Sequence, residues 1–179
     1  MADQNAATVQ NFVTILLDYA NGSLKRAVDG LTDEQVFHQP SEDTNNIAWL
    51  AWHMNRWKDW QGHLVTGEEQ VWIRDGWCER FGIPAERTGI GDTSEQVAAF
   101  RPPLELLWGY TEAAHTTFIE RVNSLSVEQL EEMVHYMPGR GEPRPKWRSI
   151  LGVCSDTMKH TGQIEYLRGL ITGKGWFGA

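Results

Sequence analysis

The sequence contains few of the features that mark secreted or membrane-spanning proteins. Only two cysteines occur in 179 residues, Cys78 and Cys154, and no CxxC pair is present, which argues against a disulfide framework and a cysteine-based zinc site. The chain has no run of about 18 apolar residues, and its N-terminus lacks the basic and apolar segments of a signal peptide. We therefore expect a cytoplasmic protein with reduced cysteines and no membrane partner.

Positive charge is scarce as well. The chain has 16 Lys and Arg residues against 24 Asp and Glu residues, which gives a formal net charge of −8. So acidic a chain repels phosphate backbones, and no nucleic-acid partner is expected. The apolar and charged fractions, 41% and 22%, are ordinary for a globular protein, and the length fits a single domain over residues 1–179.

Strand-like alternation is almost absent, whereas apolar residues recur at helical spacing in four long segments. The predicted helices cover residues 6–28, residues 45–65, the segment from Pro102-Pro103 to Val122, and residues 147–171. Gly173 is expected to end the last of them. The pattern predicts an all-α fold, a four-helix bundle with a long crossover connection between helices 2 and 3.

Short elements are predicted between the long helices. Capping boxes at Thr32 and Ser126 each begin a helical turn, and another short helix starts at Ser94. The connection over residues 67–93 contains several large apolar residues, so we expect it to pack on the bundle as a lid and not to form a free linker. A loop rich in proline and glycine spans residues 138–145.

Three polar residues fall on helix faces that should be apolar. His53 lies within an arc of tryptophans on the second helix, and Asp156 and His160 lie on or beside the apolar stripe of the fourth. Two imidazoles and one carboxylate would form a facial set that binds a divalent metal and leaves positions open. Two other interpretations stay open, namely a hydrogen-bonded core histidine at position 53 and a helix-surface ion pair between Asp156 and His160.

Two segments of the predicted helices carry a family resemblance. They read NIAWLAWHM, which includes His53, and DTMKHTGQIEYLRG, which begins at Asp156. As an ordered pair they resemble the signatures of the DinB-like superfamily of metal-binding four-helix bundles, and the resemblance extends from the first helix to Gly169. This sequence has Asp156 where the family usually has His, and Thr161 where it has Arg. The anionic ligand would lower the net charge of the metal and could change which metal binds.

The resemblance implies a Zn²⁺ or Ni²⁺ ion held by His53, Asp156 and His160. Characterised branches that resemble this chain are transferases and isomerases that use small thiols such as mycothiol, bacillithiol or glutathione. A dication with an open position lowers the pKa of a bound thiol or water. We therefore expect a metal-dependent S-transferase, in which a low-molecular-weight thiol attacks an electrophilic substrate. The alternatives are a metal-dependent hydrolase and a non-catalytic stress-response or binding module whose metal is structural or absent.

Five further residues are candidates for contact with the thiol or the electrophile: Trp49, Trp57, His115, Gln163 and Arg168. The tryptophans would form an aromatic wall, although core packing is their commoner role in a bundle. His115 would line the pocket or remain a hydrogen-bonded core residue. Gln163 would donate a hydrogen bond near the metal, and Arg168 would meet an anionic cosubstrate or form a salt bridge with an acid nearby.

The resemblance also implies a homodimer formed through helix faces. Cys154, two residues before Asp156, points away from that carboxylate around the helix and is predicted to pack in the core. The sequence predicts no role for Cys78.

Overall fold

The computed structural model describes residues 2–137, 141–173 and 175–176. In chain order these residues form α1 (Ala2–Val28), α2 (Asp33–Val36), α3 (Ile47–Thr66), α4 (Val71–Arg74), α5 (Trp77–Phe81), α6 (Ser94–Ala99), α7 (Leu104–Ser124), α8 (Val127–Glu131), β1 (Met133–Val134), β2 (Arg144–Pro145) and α9 (Lys146–Thr172). The four long helices α1, α3, α7 and α9 are those that the apolar periodicity predicts. The all-α prediction is confirmed.

The long helices end where the sequence supplies end signals. The side chain of Asn46 accepts a hydrogen bond from the backbone N–H of Trp49 at 2.8 Å and caps α3, and Gly67 ends the helix with a φ of 79°. Gly173 follows the last residue of α9, as predicted. Helix α1 begins at Ala2, four residues before the predicted start at residue 6. The prediction starts too late because the polar N-terminal residues show no apolar periodicity.

Helix α3 is the central helix of the bundle. It packs against both α7 and α9, and α1 packs against α9 and α7. Two apolar clusters fill the interior, one around Trp52 and Tyr110 and the other around Phe118. Because α3 has neighbours on almost every side, it also buries charged residues such as Arg56 and Asp59. None of the helices in the described ranges is long and apolar enough to cross a membrane.

The connection from α3 to α7 packs on the bundle, as predicted. Trp72 has no exposed surface and lies against Trp52 and Tyr110 in edge-to-face contacts. The carboxylate of Asp59 on α3 accepts the backbone N–H groups of Val71 at 2.9 Å and Trp72 at 2.8 Å, which fixes the start of α4. This part of the connection is therefore core rather than a lid.

A two-stranded hairpin before α9 was not predicted. Strand β1 pairs antiparallel with β2, with Met133 opposite Pro145 and Val134 opposite Arg144. Strands of two residues are too short to show the alternation by which strands are recognised. The hairpin includes part of the loop predicted over residues 138–145, of which residues 138–140 lie outside the described residues.

Candidate metal centre

His53 lies on α3 with one ring nitrogen already engaged. Its Nδ1 is 2.6 Å from the backbone carbonyl oxygen of Thr88. Because a carbonyl oxygen can only accept a hydrogen bond, Nδ1 carries the proton and the lone pair of Nε2 is free. The indole of Trp49, one turn earlier, stacks on the imidazole with ring centroids 4.7 Å apart and planes 12° from parallel. The tautomer and the orientation of the ring are thus fixed, as they usually are in metal-binding histidines.

The carbonyl that fixes His53 belongs to a segment that we call the strap, residues 85–92. Arg56, which is fully buried on α3, donates from Nη2 to the carbonyl oxygen of Ala85 at 3.0 Å and from Nε to that of Arg87 at 3.1 Å. A guanidinium offers several donors in a rigid plane, so one side chain can hold two points of a backbone. Arg56 therefore sets the position of the strap directly before the residue that contacts His53.

The second half of the strap lies against the same stacked pair of rings. Asp92 accepts a hydrogen bond from the indole N–H of Trp49 at 2.9 Å and forms a salt bridge with Arg87 at 2.7 Å. At Gly89, which has a φ of 88°, a Cβ atom would lie 2.8 Å from Nδ1 of His53 and 2.9 Å from Cζ2 of Trp49. Both the backbone conformation and the close approach favour glycine. Sequence reasoning missed Gly89 and Asp92, because their contacts exist only once the strap has folded onto α3.

Asp156 and His160 lie one turn apart on α9, with side chains that are 29% and 18% exposed. Oδ1 of Asp156 is 3.5 Å from Nε2 of His160. Nδ1 of His160 donates a hydrogen bond to Oε1 of Gln163 at 2.7 Å. Oδ2 of Asp156 is buried and has no hydrogen-bond partner within the described ranges. An unpaired buried carboxylate oxygen costs free energy, and a cation would satisfy it.

The fold brings the imidazoles of the two helices into contact. The ring centroids of His53 and His160 are 5.2 Å apart, and the rings meet edge to face at 78°. The three predicted ligands are therefore neighbours. No three His, Cys, Asp or Glu side chains among the residues that the structure describes are gathered closely enough to hold a metal ion as they stand.

The surroundings shift the pKa values of the two imidazoles in opposite directions. Burial lowers the pKa of His53, and the charge of His160 lowers it further, against the opposing effect of the Thr88 carbonyl. Burial also acts to lower the pKa of His160, but hydrogen bonds with Asp156 and Gln163 outweigh it and the net pKa is raised. His53 is therefore neutral at pH 7. Because a metal and a proton compete for the same lone pair, protonation opposes metal binding more strongly at His160 than at His53.

Of the five other predicted residues, two touch the histidines and one lies elsewhere in the core. Trp49 stacks on His53, and Gln163 orients His160 by accepting a hydrogen bond instead of donating one. Trp57 belongs to the second apolar cluster, where it packs edge to face against Trp60 and Tyr136.

The remaining two, His115 and Arg168, bond to residues in α1 or directly after it. Nε2 of His115 on α7 is 2.8 Å from Oδ1 of Asp18 on α1. Arg168 donates to the backbone carbonyl oxygen of Asp29 at 2.8 Å, whereas the sequence suggested a carboxylate partner; Arg168 forms no salt bridge within the described part of the chain. Neither hydrogen bond involves a predicted metal ligand.

Lys58 is a buried charged residue that sequence reasoning also missed. It is 1% exposed, and its ammonium donates to Oδ1 of Asn55 at 3.0 Å. Burial lowers its pKa to about 8, although the carboxylates of Glu112 and Asp156 act to raise it. Cys154 is itself 3% exposed, as predicted for a packing residue, and burial raises its pKa to about 11. The sequence does not indicate that position 58 is buried, because its burial depends on how the neighbouring helices surround α3.

A pocket with a volume of about 620 Å³ lies beside Gln163. Its walls are mainly apolar and include Leu50, Tyr166 and Leu167, and Lys159 is the charged residue in its lining. Neither Trp49 nor Trp57 lines it. The pocket is large enough for a small organic ligand next to the residue that orients His160.

A four-helix bundle with facing histidines on its second and fourth long helices defines the class of protein. The family model of the DinB superfamily matches residues 16–164. A crystal structure of a conserved protein from Enterococcus faecalis superimposes with a TM-score of 0.82 and 23% sequence identity, covering 92% of this chain and 97% of that one. That identity is evidence of a shared fold alone. No curated protein matches the chain significantly.

The family match covers far more than half of the sequence and includes His53, Asp156 and His160. The chain belongs to the DinB superfamily.

Proposed function

We propose that this protein is a metal-dependent transferase that activates a low-molecular-weight thiol, such as mycothiol or bacillithiol, for attack on an electrophilic substrate. The observation that carries the proposal is the arrangement of His53, His160 and Asp156. Both histidines have their Nδ1 atoms engaged by acceptors, and the buried Oδ2 of Asp156 has no hydrogen-bond partner in the described residues. In a member of the DinB superfamily, these are the donor atoms that a metal would use.

The residues present suit a Zn²⁺ or Ni²⁺ ion. Nε2 of His53, Nε2 of His160 and a carboxylate oxygen of Asp156 would hold it, and these nitrogen and oxygen donors are ones that both metals accept. A bound dication would lower the pKa of a thiol or water at an open position. Thr88 and Gln163 would keep the two imidazoles oriented, each through the Nδ1 atom that faces away from the metal.

The attacking thiolate would come from a cosubstrate. Both cysteines of the protein are free and buried, and burial raises the pKa of Cys78. The pocket beside Gln163 offers room for the cosubstrate and the electrophile, and Lys159 would favour an anionic group there. Buried reduced cysteines suit the cytoplasm, which we infer as the location.

Metal analysis of untagged protein tests the proposal first. We expect about one Zn²⁺ or Ni²⁺ per chain, lost in His160→Ala and kept in His38→Ala, which removes an exposed histidine that has no role in the proposed site. Metal-free protein whose His160→Ala variant melts at the wild-type temperature even with added Zn²⁺ and Ni²⁺ would contradict it.

Activity assays separate the three functions that the sequence leaves open. The wild type is given a panel of thiols with a chloronitroarene electrophile, and separately a nitrophenyl ester without thiol. Thiol conjugation that disappears in His160→Ala supports the transferase. Ester hydrolysis without thiol dependence supports the hydrolase, and metal-dependent melting without any turnover supports a binding module.

We also propose that the protein is a homodimer that uses the outer faces of α1 and α9. These adjacent helices expose large apolar side chains, among them Phe12, Ile15, Leu151 and Tyr166. Contiguous exposed apolar area is typical of a contact surface. Sedimentation should show a dimer that Ile15→Glu dissociates, whereas Ile90→Glu, at an exposed apolar residue outside these helices, should leave it intact. A wild-type monomer at high concentration would overturn the assignment.

A further inference from the structure

The crossover between α5 and α7 forms a second pocket, and neither this pocket nor the one beside Gln163 is lined by a predicted metal ligand. Its volume is about 410 Å³, and all of its lining residues lie between positions 80 and 103. The charged side chains in the lining are Arg80, Arg87 and Arg101, and no Asp or Glu lines it. The chain as a whole has 24 acidic and 16 basic residues, so its net charge is negative. A pocket whose charged residues are all arginines is therefore unusual for this chain.

Two of the three guanidinium groups have no carboxylate partner among the residues that the structure describes. Arg80 lies over the ring of Trp77 at 4.1 Å, and Arg101 lies over the ring of Phe37 at 5.3 Å and donates from Nε to the carbonyl oxygen of Ala98. Neither forms a salt bridge within residues 2–137, 141–173 and 175–176. Stacking engages the face of a guanidinium and leaves N–H donors at its edge for an anion.

Arg87 has a different role in the same pocket. Its guanidinium makes two hydrogen bonds with Asp92, at 3.1 and 2.7 Å, and Asp92 also holds Trp49. This salt bridge is part of the strap and neutralises the charge of Arg87. Arg80 and Arg101 are therefore the groups that remain to bind an anion.

Apart from the arginines and Gln96, the residues that line the pocket are apolar or glycine. Phe81, Ile83, Pro102 and Pro103 line it, and the ring of Phe81 stacks with that of Phe100 at a centroid distance of 6.4 Å. Small-ligand sites of this kind combine apolar walls with a few convergent polar groups. The ligand that fits them has both a charged end and an apolar body.

We propose that this pocket binds a small organic carboxylate, paired through its anionic group with Arg80 and Arg101 and packed with its apolar body against Phe81 and the adjoining prolines. The planar fork of a guanidinium matches a carboxylate in a bidentate pair. This binding requires neither a metal nor the thiol transfer proposed above.

Calorimetric titration in a low-chloride buffer tests the proposal with benzoate as the probe. Benzamide tests the same ring without the charge, and inorganic phosphate tests charge without an apolar body. We expect benzoate to bind with a stoichiometry of about one, and both other probes to bind about tenfold more weakly or not at all.

The variants Arg80→Gln and Arg101→Gln should each weaken benzoate binding about tenfold. Arg148→Gln, which changes the net charge equally at an exposed position on α9, should bind benzoate as the wild type does. All three positions are exposed, so thermal melting should confirm that each variant folds. Absence of benzoate binding at millimolar concentration, equal binding of benzamide or phosphate, or equal affinities in the three variants would overturn the proposal.

Discussion

Two carboxylates of the bundle, the buried Asp59 on α3 and the half-buried Asp156 on α9, differ in how completely their neighbours satisfy them. Asp59 accepts two backbone N–H groups and the hydroxyl of Tyr110, and lies 3.5 Å from both Arg56 and Arg121. One oxygen of Asp156 is 3.5 Å from His160, and the other has no hydrogen-bond partner in the part of the chain that the structure describes. A satisfied carboxylate is part of the scaffold, whereas an unsatisfied one at a cluster of histidines has capacity left for a ligand.

Replacing these two carboxylates should separate the roles most strongly. Asp59→Ala leaves two buried guanidinium groups and the start of α4 without their partner, so the free energy of unfolding should fall by about 3–5 kcal/mol. Urea denaturation measures this loss. Asp156→Ala removes a group that is poorly paired in metal-free protein, and the free energy of unfolding should change by less than about 1 kcal/mol. Equal losses in the two variants would remove the distinction between them.

Lys58 allows a comparison of the same kind for a cation. Its pKa is about 8 in the folded chain and 10.5 when unfolded, so the unfolded state binds more protons between these pH values and stability rises with pH. The difference in unfolding free energy between the wild type and Lys58→Met should therefore shift by about 3 kcal/mol in favour of the wild type between pH 8 and pH 10.5. Denaturation at a series of pH values measures the gain. Lys159→Met, at an exposed position, is the matched control for the loss of a lysine.

A substitution in the strap should have a smaller effect on stability and should also weaken metal binding. Gly89→Ala places a methyl group against His53 and Trp49 in a backbone conformation that alanine adopts poorly, and should cost about 1–3 kcal/mol of unfolding free energy. Gly91→Ala has a similar φ of 82° and no atom within 4 Å, so it measures the backbone cost alone. Thermal melting should show a larger loss of stability in Gly89→Ala than in Gly91→Ala, and Zn²⁺ titration should show a larger loss of metal affinity. The same loss at both glycines would mean that the strap does not fix His53.

Gln163 should give the smallest change in stability. It is exposed, so Gln163→Leu should shift the free energy of unfolding by less than about 0.5 kcal/mol, yet weaken metal binding about tenfold because Nδ1 of His160 loses its acceptor. Competition with a chelator measures the affinity. Gln163→Glu, which keeps an acceptor oxygen, should restore it. An affinity unchanged in Gln163→Leu would show that Gln163 does not orient His160.

The sequence predicts the features that depend on local spacing. Helical periodicity placed the four long helices, and the same periodicity placed His53, Asp156 and His160 on inward faces. Lys58 was missed because it reads as a polar-face residue until α3 is surrounded by its neighbours. The contacts of the strap were missed because they join α3 to a loop 29 to 43 residues away, and spacing carries no information about such contacts.

The orientation of His53 depends on a main-chain oxygen, so the side chain at position 88 does not supply it. Substitutions at that position can therefore accumulate without disturbing the imidazole, provided that the backbone conformation is unchanged. The neighbouring glycine has no such freedom. A saturation mutagenesis scan of the segment should consequently find a tolerant residue directly beside an intolerant one, and a ranking of positions by variability would overlook the atom that holds the ring.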